Sequence, residues 1–304
     1  MNLVIFLLNP AMISLAAVAL SVVWMLRDEK DRTRPILVIA LILNLVYGWV
    51  LRFTMGQENG LVPMKYDHVL FRLDDALGVS APAIASQLQG WRRTMLSVVY
   101  QAMVPMMIVW FFVMRARLRH RSLVIAYVAE MLTGPLLYAL VPGCGPAYAF
   151  GSQWLHPPAV EAGTIRLSGM PNAFPSLHMG TAAVFLLFAP SRRWRLIALA
   201  FFAGTGLATI ATGEHYVIDL VAGLAFGCFA VNTGERRLKS AAAFLGVAAA
   251  WSLTVRFGFE FLLAHEWVLL GAVLVTVSLF VFEVARQWRA AGSFAAASGS
   301  TPAG

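Results

Sequence analysis

The sequence predicts an all-α protein that crosses a membrane several times, a polytopic membrane helix bundle. The 304-residue chain is 60% hydrophobic and only 12% charged, with a mean hydropathy of +0.74. A soluble domain carries about 25% charged residues. Long apolar runs recur along the chain, and short basic segments separate many of them. Such runs span a bilayer as helices when they reach about 20 residues.

The apolar runs predict about nine transmembrane helices. The fifth and sixth runs are shorter than the others. The first has no basic residue before it and no clear cleavage site, so we interpret it as a membrane anchor rather than a cleaved signal peptide. The predicted spans are residues 3–26, 35–55, 95–114, 122–142, 176–190, 196–212, 215–233, 240–263 and 267–285.

The placement of Lys and Arg predicts the orientation of the chain. Five breaks between spans hold 16 of the 23 basic residues. Cytoplasmic loops are enriched in Lys and Arg, so these breaks are predicted to face the cytoplasm, with the N-terminus outside and the C-terminus inside. The net charge of +8 is spread over these short turns, which argues against nucleic-acid binding. The five breaks are residues 27–34, 115–121, 191–195, 235–239 and 286–289.

The remaining breaks are predicted to lie on the outer side, and they include a segment of mixed polarity, residues 66–94. We interpret that segment as one or two amphipathic helices in the outer interface. The tail, 286–304, is rich in small and polar residues and is predicted to be disordered. Cys144 and Cys228 are predicted to lie at different depths and therefore not to pair. Neither has metal-ligand spacing, and we expect no metal and no cofactor.

The segment "NAFPSLHMG" (172–180) places His178 at the start of an apolar run. Pro favours the first helical turn, and Ser or Asn can cap it. A helix N-terminus binds phosphate through its free N–H groups, and the hydroxyl of Ser176 could add a donor. A protonated His178 could then give a proton to a leaving oxygen. The alternative is a capped helix with an interfacial histidine.

The segment "GEHYVIDLVAG" (213–223) contains a second histidine. His215 and Asp219 are four residues apart on a predicted helix and would share one face. A carboxylate that accepts from one imidazole nitrogen makes the other nitrogen a better nucleophile. The alternative is a structural His–Asp pair, although ionisable groups inside membranes are often functional.

These residues resemble two of the three motifs of the type 2 phosphatidic acid phosphatase superfamily. Pro175-Ser176-Leu177-His178 resembles its Pro-Ser-Gly-His motif, and His215-x3-Asp219 resembles the end of Ser-Arg-x5-His-x3-Asp. The motif variant with Leu177 in place of Gly resembles the motif of the inositol phosphorylceramide synthase-like, or inositolphosphotransferase-like, branch. The resemblance covers about residues 35–233 and implies a six-helix phosphatase-like core there. It leaves 1–34 and 234–285 as accessory helices, with the tail 286–304 beyond them.

The resemblance assigns roles to three residues. It implies that His215 accepts the phosphoryl group, Asp219 orients His215 and His178 protonates the leaving group. The usual basic residues are absent, however: Ala208 and Thr209 stand where Ser-Arg is expected. The Pro-rich turn 141–150 stands where the first motif of the superfamily, Lys-x6-Arg-Pro, is expected, and it has no Lys or Arg.

A phosphate bound at the apolar entrance to a membrane-embedded site needs a compensating positive charge. We expect Arg166, in the loop before Ser176, to supply it, although loop arginines are often simply solvated. Tyr148 and Tyr216 could add hydroxyl donors. Arg256, which lies four residues before Glu260, is the other candidate cation, but that spacing favours a structural pair.

The sequence thus predicts a lipid phosphatase or phosphotransferase acting at the outer face through a phosphohistidine. The substrate would be a membrane lipid phosphate, diphosphate or phosphodiester. The acceptor would be water, or an alcohol such as a polyol or a lipid alcohol. A lipid transporter or flippase and an inactive scaffold of the same fold remain alternatives. The expected location is the cell membrane, and the Ala-rich, compact chain favours a bacterial inner membrane.

Overall fold

The computed structural model describes residues 66–115, 119–156 and 173–298. These residues form helices and no strand, so the predicted all-α class is confirmed for them. The first two predicted spans, 3–26 and 35–55, lie outside the described residues. So does Arg166.

The described chain forms twelve α-helices and one 3₁₀ turn, Gly151–Gln153. In chain order the helices are α1 Asp67–Ala76, α2 Ala81–Gln87, α3 Trp91–Gln101, α4 Met103–Arg115, α5 His120–Leu140, α6 Pro146–Ala149, α7 Leu177–Phe188, α8 Arg192–Thr212, α9 Val217–Gly234, α10 Leu238–Phe257, α11 Phe259–Ala264 and α12 Glu266–Ser298.

Five of these helices are long and apolar enough to cross a membrane, namely α5, α8, α9, α10 and α12. The pair α3 and α4 would make a sixth span if the two helices are taken together. This establishes a multi-pass helical architecture of the membrane type. Helix α7 is apolar but has only 12 residues, so it is shorter than the predicted span 176–190.

Two predicted spans are interrupted. The span 95–114 is two helices, α3 and α4, bent by 47°. Pro105 explains the break, because it has no N–H to donate to the carbonyl of Gln101. The span 240–263 ends as a regular helix at Phe257, and a separate short helix follows Gly258, a residue that weakens helices.

Helices α7 and α9 form the centre of the bundle. Gly223 and Gly227 of α9 lie so close to α7 that a Cβ on either one would come within 2.6 Å of a main-chain oxygen of α7 or its cap. The absence of side chains at these glycines lets the two backbones touch. This contact brings the start of α7 beside the start of α9, where the two predicted motifs lie.

The basic breaks within the described residues lie at the opposite end of the bundle from the two motifs. Arg119 pairs with Glu235, and Arg195 donates to the main-chain oxygen of Trp288 at 2.7 Å. Helix α9 runs from the histidine end to this basic end. The alternation predicted from charge is therefore present in the described helices, while the side of the membrane that each end faces stays a prediction. No disulfide joins Cys144 and Cys228, as expected, and both are buried.

Candidate active site

His178 lies on the first turn of α7, as predicted. Ser176 is the N-cap of this helix, and its Oγ accepts from the N–H of Met179 at 3.2 Å. The side chain of Ser176 is fully buried. Because its oxygen already accepts this capping bond, the hydroxyl hydrogen is the part of Ser176 that is available to a phosphate oxygen. The phosphate contact itself stays a prediction.

His215 lies two residues before α9 rather than on its first turn. The pairing with Asp219 nevertheless forms, with 3.4 Å between Nδ1 of His215 and Oδ2 of Asp219. The same Oδ2 accepts from the main-chain N–H of Tyr216 at 2.9 Å, in a capping box. Asp219 is fully buried and the exposed fraction of His215 is only 3%. With its proton on the Nδ1 that faces Asp219, His215 presents Nε2 as the nucleophilic nitrogen.

The two histidines meet at the same end of the bundle. Their ring centroids are 5.9 Å apart, with an interplanar angle of 64°. A main-chain hydrogen bond of 3.0 Å, from the N–H of Ser176 to the carbonyl of Asp219, ties the two segments together. Residues from two motifs 37 positions apart thus form one cluster, as the sequence suggested.

The N-termini of α7 and α9 differ in what they can still bind. The first N–H groups of α9, on Val217 and Ile218, donate to the carboxylate of Asp74 at 2.8 and 2.9 Å. Those donors are therefore occupied by the protein itself. At the start of α7, the N–H groups of Leu177 and His178 have no acceptor within the helix. The start of α7 is the better anion cradle of the two.

The Pro-rich turn also reaches the site. Gly145 has a φ of +89° and lies so close to the carbonyl of Glu214 that a Cβ would sit 2.2 Å from that oxygen. Tyr148 donates from its hydroxyl to Oε1 of Glu214 at 3.0 Å. Glu214 directly precedes His215, so Tyr148 lies at the mouth of the site. Its side chain is 40% exposed.

The hydroxyl of Tyr216 faces a different residue. Tyr216 is fully buried and donates to Oδ1 of Asp67 at 3.2 Å. Asp67 also accepts from the N–H groups of Cys144 and Gly145 at 3.0 and 2.9 Å. Burial raises the pKa of Asp67 to about 7 despite these donors. For Tyr216 to contact a phosphate, its hydroxyl would have to leave Asp67, so that contact stays a prediction.

The candidate cations lie in different surroundings. Arg256 donates to the main-chain oxygen of Leu140 at 2.7 Å, which caps the C-terminus of α5. Its partner is thus a helix end rather than Glu260. Arg93 lies over the ring of Trp154, 5.6 Å from its centroid. Trp154 in turn packs against Gly213, which places Arg93 above the histidine end.

Four residues of this end were missed by the motif analysis: Asp67, Asp74, Tyr100 and Glu214. Glu214 carried a usable signal, because it adjoins His215 in the sequence. Asp67 lies 149 positions from its partner Tyr216, and Asp74 lies 144 positions from its partner Ile218, separations that no local pattern reveals. Within the described residues, no group of three His, Cys, Asp or Glu side chains has an arrangement that could hold a metal ion.

The fold and site define a class: a helical, membrane-type protein with two histidines and a buried carboxylate at one end of its central helices. A family model described as the PAP2 superfamily matches residues 68–233, more than half of the chain. The protein therefore belongs to the PAP2 superfamily, which generally comprises phosphatases and phosphotransferases. No curated protein and no solved structure matches the chain.

Proposed function

We propose that this protein is an integral-membrane lipid phosphatase or phosphotransferase that works through a phosphohistidine at His215. The observation that carries the proposal is the cluster of His178, His215 and Asp219. A buried carboxylate beside a nearly buried imidazole prepares a nucleophile, and a second imidazole lies 5.9 Å away, where a leaving group could depart. Membership of the PAP2 superfamily supports this chemistry.

In the first step, Nε2 of His215 attacks phosphorus of the lipid headgroup. The bond between phosphorus and the leaving oxygen breaks as the P–N bond forms. His178, protonated, gives its proton to the departing oxygen. Asp219 stabilises the positive charge that develops on His215, as the third member of a catalytic triad does.

In the second step, the now neutral His178 removes a proton from the acceptor. The acceptor oxygen attacks phosphorus, the P–N bond breaks and His215 regains its lone pair. Water as acceptor gives a phosphatase, and an alcohol gives a phosphotransferase. Leu177, the position at which the chain resembles the inositolphosphotransferase-like branch, favours transfer to an alcohol such as a polyol.

The phosphate itself would be held by donors at the start of α7. Ser176 and the N–H groups of Leu177 and His178 supply dipoles, and Tyr148 adds a hydroxyl at the mouth. We propose that Arg166 adds the full positive charge, because its loop leads directly to Ser176. This positional and electrostatic stabilisation is the main catalytic contribution in phosphoryl transfer.

A phosphate-release assay on purified protein tests the function. The detergent-solubilised chain is incubated with phosphatidic acid, a polyprenyl diphosphate or phosphatidylinositol, with and without EDTA and with inositol or glycerol as acceptor. Rapid quenching with a radiolabelled substrate should trap an acid-labile, base-stable adduct in the wild type and none in His215→Ala. A scaffold would turn over no substrate. A flippase would move labelled lipid between leaflets without forming the adduct.

The proposed outer location of the site has its own test. Ser152 is exposed near the histidine end, and Ser191 lies at the basic end. In intact cells, Ser152→Cys should react with an impermeant maleimide and Ser191→Cys should not. Both native cysteines are buried and give little background. The opposite labelling pattern would place the site on the cytoplasmic face.

A further inference from the structure

The ring of His178 is held by another aromatic ring. Tyr100, near the end of α3, stacks on His178 with centroids 4.2 Å apart and an interplanar angle of 22°. The other ring contact of His178 is the edge-on approach of His215. Asp219 fixes His215, but no carboxylate in the described residues plays that part for His178. Stacking on Tyr100 is the contact that defines the plane of the His178 imidazole.

Tyr100 is itself fixed at its other end. Its hydroxyl interacts with the carboxylate of Glu214, which also accepts from the hydroxyl of Tyr148 at 3.0 Å. The backbone of Glu214 is anchored as well, because its N–H donates to the carbonyl of Thr209 at 3.0 Å. A continuous set of contacts therefore runs from Glu214 through Tyr100 to His178.

Glu214 is an unexpected residue beside a phosphate site, because a carboxylate repels a phosphoryl group. It accepts from the hydroxyl of Tyr148 and interacts with that of Tyr100, and burial raises its pKa above the ordinary value. A group that costs energy at a binding site is retained where it does something else. Here it holds the hydroxyl of Tyr100, the residue that stacks on His178.

We propose that Tyr100 and Glu214 are positioning residues for His178, which orient its imidazole toward the leaving oxygen. The proposal rests on the proposed function, in which His178 is the proton donor. Tyr100 fixes the ring plane and Glu214 fixes Tyr100. Neither residue touches the reacting atoms. Their effect should therefore depend on how much the leaving group needs a proton.

Two substrates separate this role from general damage to the fold. Dioctanoyl phosphatidic acid has a poor, alkoxide leaving group, while para-nitrophenyl phosphate has a good one that needs little protonation. The ratio kcat/KM reports the first step, in which His178 acts as the acid. For Tyr100→Leu, kcat/KM should fall about 100-fold with phosphatidic acid, near the lower limit for loss of an acid, and by less than about threefold with the aryl phosphate.

Conservative substitutions at Tyr100 and Glu214 should lower kcat/KM with phosphatidic acid by less than the Leu substitutions do. Tyr100→Phe keeps the stacked ring but loses the bond to Glu214, so we expect a loss of about tenfold or less with phosphatidic acid. Glu214→Gln keeps an acceptor oxygen and should retain more activity than Glu214→Leu. Tyr127→Leu is the matched control, because Tyr127 is a buried tyrosine that packs on Phe185 away from the histidines. It should affect both substrates alike.

A double variant tests whether Tyr100 acts through His178. Tyr100→Leu in a His178→Ala background should cause no further loss, since residues that act as a unit are non-additive. Equal losses with both substrates, or additive losses in the double variant, would show that Tyr100 merely supports the fold.

A readout independent of turnover separates this inference from the proposed function. Diethyl pyrocarbonate modifies accessible imidazoles, and mass spectrometry resolves the peptide that carries His178. Tyr100→Leu should speed modification of His178 severalfold, while Tyr127→Leu should leave it unchanged. Unchanged modification in Tyr100→Leu would overturn the inference even if the enzyme is active. Faster modification in a protein without turnover would keep the positioning and refute only the proposed chemistry.

Discussion

Carboxylates are buried near both ends of helix α9, but the two ends provide them with different kinds of hydrogen-bond donor. At the basic end, Glu283 accepts from Arg286, Asn232 and Gln287, so a cation and two amides surround it. At the histidine end, buried carboxylates are paired with main-chain N–H groups: Asp74 with the start of α9, and Asp67 with the Pro-rich turn.

The difference indicates what each end is built for. A carboxylate paired with an arginine is neutralised, and the result is a structural lock. A carboxylate paired only with amide dipoles has no cation beside it, and burial raises its pKa, as it does for Asp67. Asp67, Asp74, Glu214 and Asp219 all lie near the histidine end, so any of them that is ionised opposes phosphate binding. An anionic substrate therefore requires a cation there that the carboxylates have not already neutralised.

The largest effect should come from the nucleophile. His215→Ala should lower kcat by at least about 10⁴-fold, because no phosphohistidine can form. Asp219→Asn should lose about 10²- to 10⁴-fold, since an amide no longer stabilises the imidazolium. Phosphate release and adduct trapping measure both. Near-normal turnover in a folded His215→Ala protein would mean that this end, like the basic end, is only structural.

Loss of Arg166, the residue proposed to supply the positive charge, should give the next largest effect. Arg166→Ala should cost about 2–4 kcal/mol of transition-state stabilisation, the loss expected for one strong charge-stabilising donor. Arg166→Lys should recover only part of it, because an ammonium lacks the planar fork. Both are measured as kcat/KM.

Arg256→Ala is the control for the missing cation. Because Arg256 donates to a helix end, its loss should lower the thermal stability more than the turnover. Normal activity in Arg166→Ala, together with a folded but inactive Arg256→Ala protein, would assign the phosphate-binding cation to α10. An inactive Arg93→Ala protein would assign it to α3.

The basic end should respond in stability alone. Arg286→Ala leaves Glu283 buried with only amide donors, which should cost about 2 kcal/mol of unfolding free energy. Activity per folded molecule should not change. Arg289→Ala removes the same charge from an exposed position three residues further on and should cost little. A large loss of activity in folded Arg286→Ala would show that the two ends are coupled.

The smallest expected effect is a pH dependence at the histidine end. In the folded protein the pKa of Asp67 is about 7, compared with 3.8 for an unperturbed Asp. The folded state therefore holds this proton more tightly, and the stability that Asp67 contributes falls as the pH rises from about 4 to 7. Asp67→Asn should flatten this part of the melting-temperature profile. Asp75→Asn, exposed on the same helix, should leave the profile unchanged.

The helical class and the histidine motifs could be predicted because they rest on local patterns. Apolar runs of about 20 residues predict membrane helices from the local sequence alone, and Ser176 caps α7 as its position before the run suggested. The four-residue spacing of His215 and Asp219 predicted their contact even though the helix begins later than expected. The capping box at Tyr216 holds the same pair without requiring His215 to be helical.

The surroundings of the histidines could not be predicted, because they depend on long-range packing. Tyr100 stacks on His178 close to the point where the predicted span divides into two helices, and Pro105 was the signal for that division. Asp74 was expected at the interface, yet it is buried and caps a helix more than 140 residues away. Amphipathic patterns show that one face is polar but not which polar groups find a partner inside.

The shortness of α7 has a consequence for how a lipid substrate would reach the proposed site. Its 12 residues span about 18 Å, against about 30 Å for the hydrocarbon core. Met179, in its first turn, lies against Gly206, six residues before α8 ends. Helix α8 therefore continues for about 9 Å beyond this contact. A helix as short as α7 cannot reach both faces of the hydrocarbon core, so a headgroup would have to reach below the membrane surface to meet the histidines if the other end of α7 lies at the far face. The reach of the headgroup would then sort lipids before any chemistry begins.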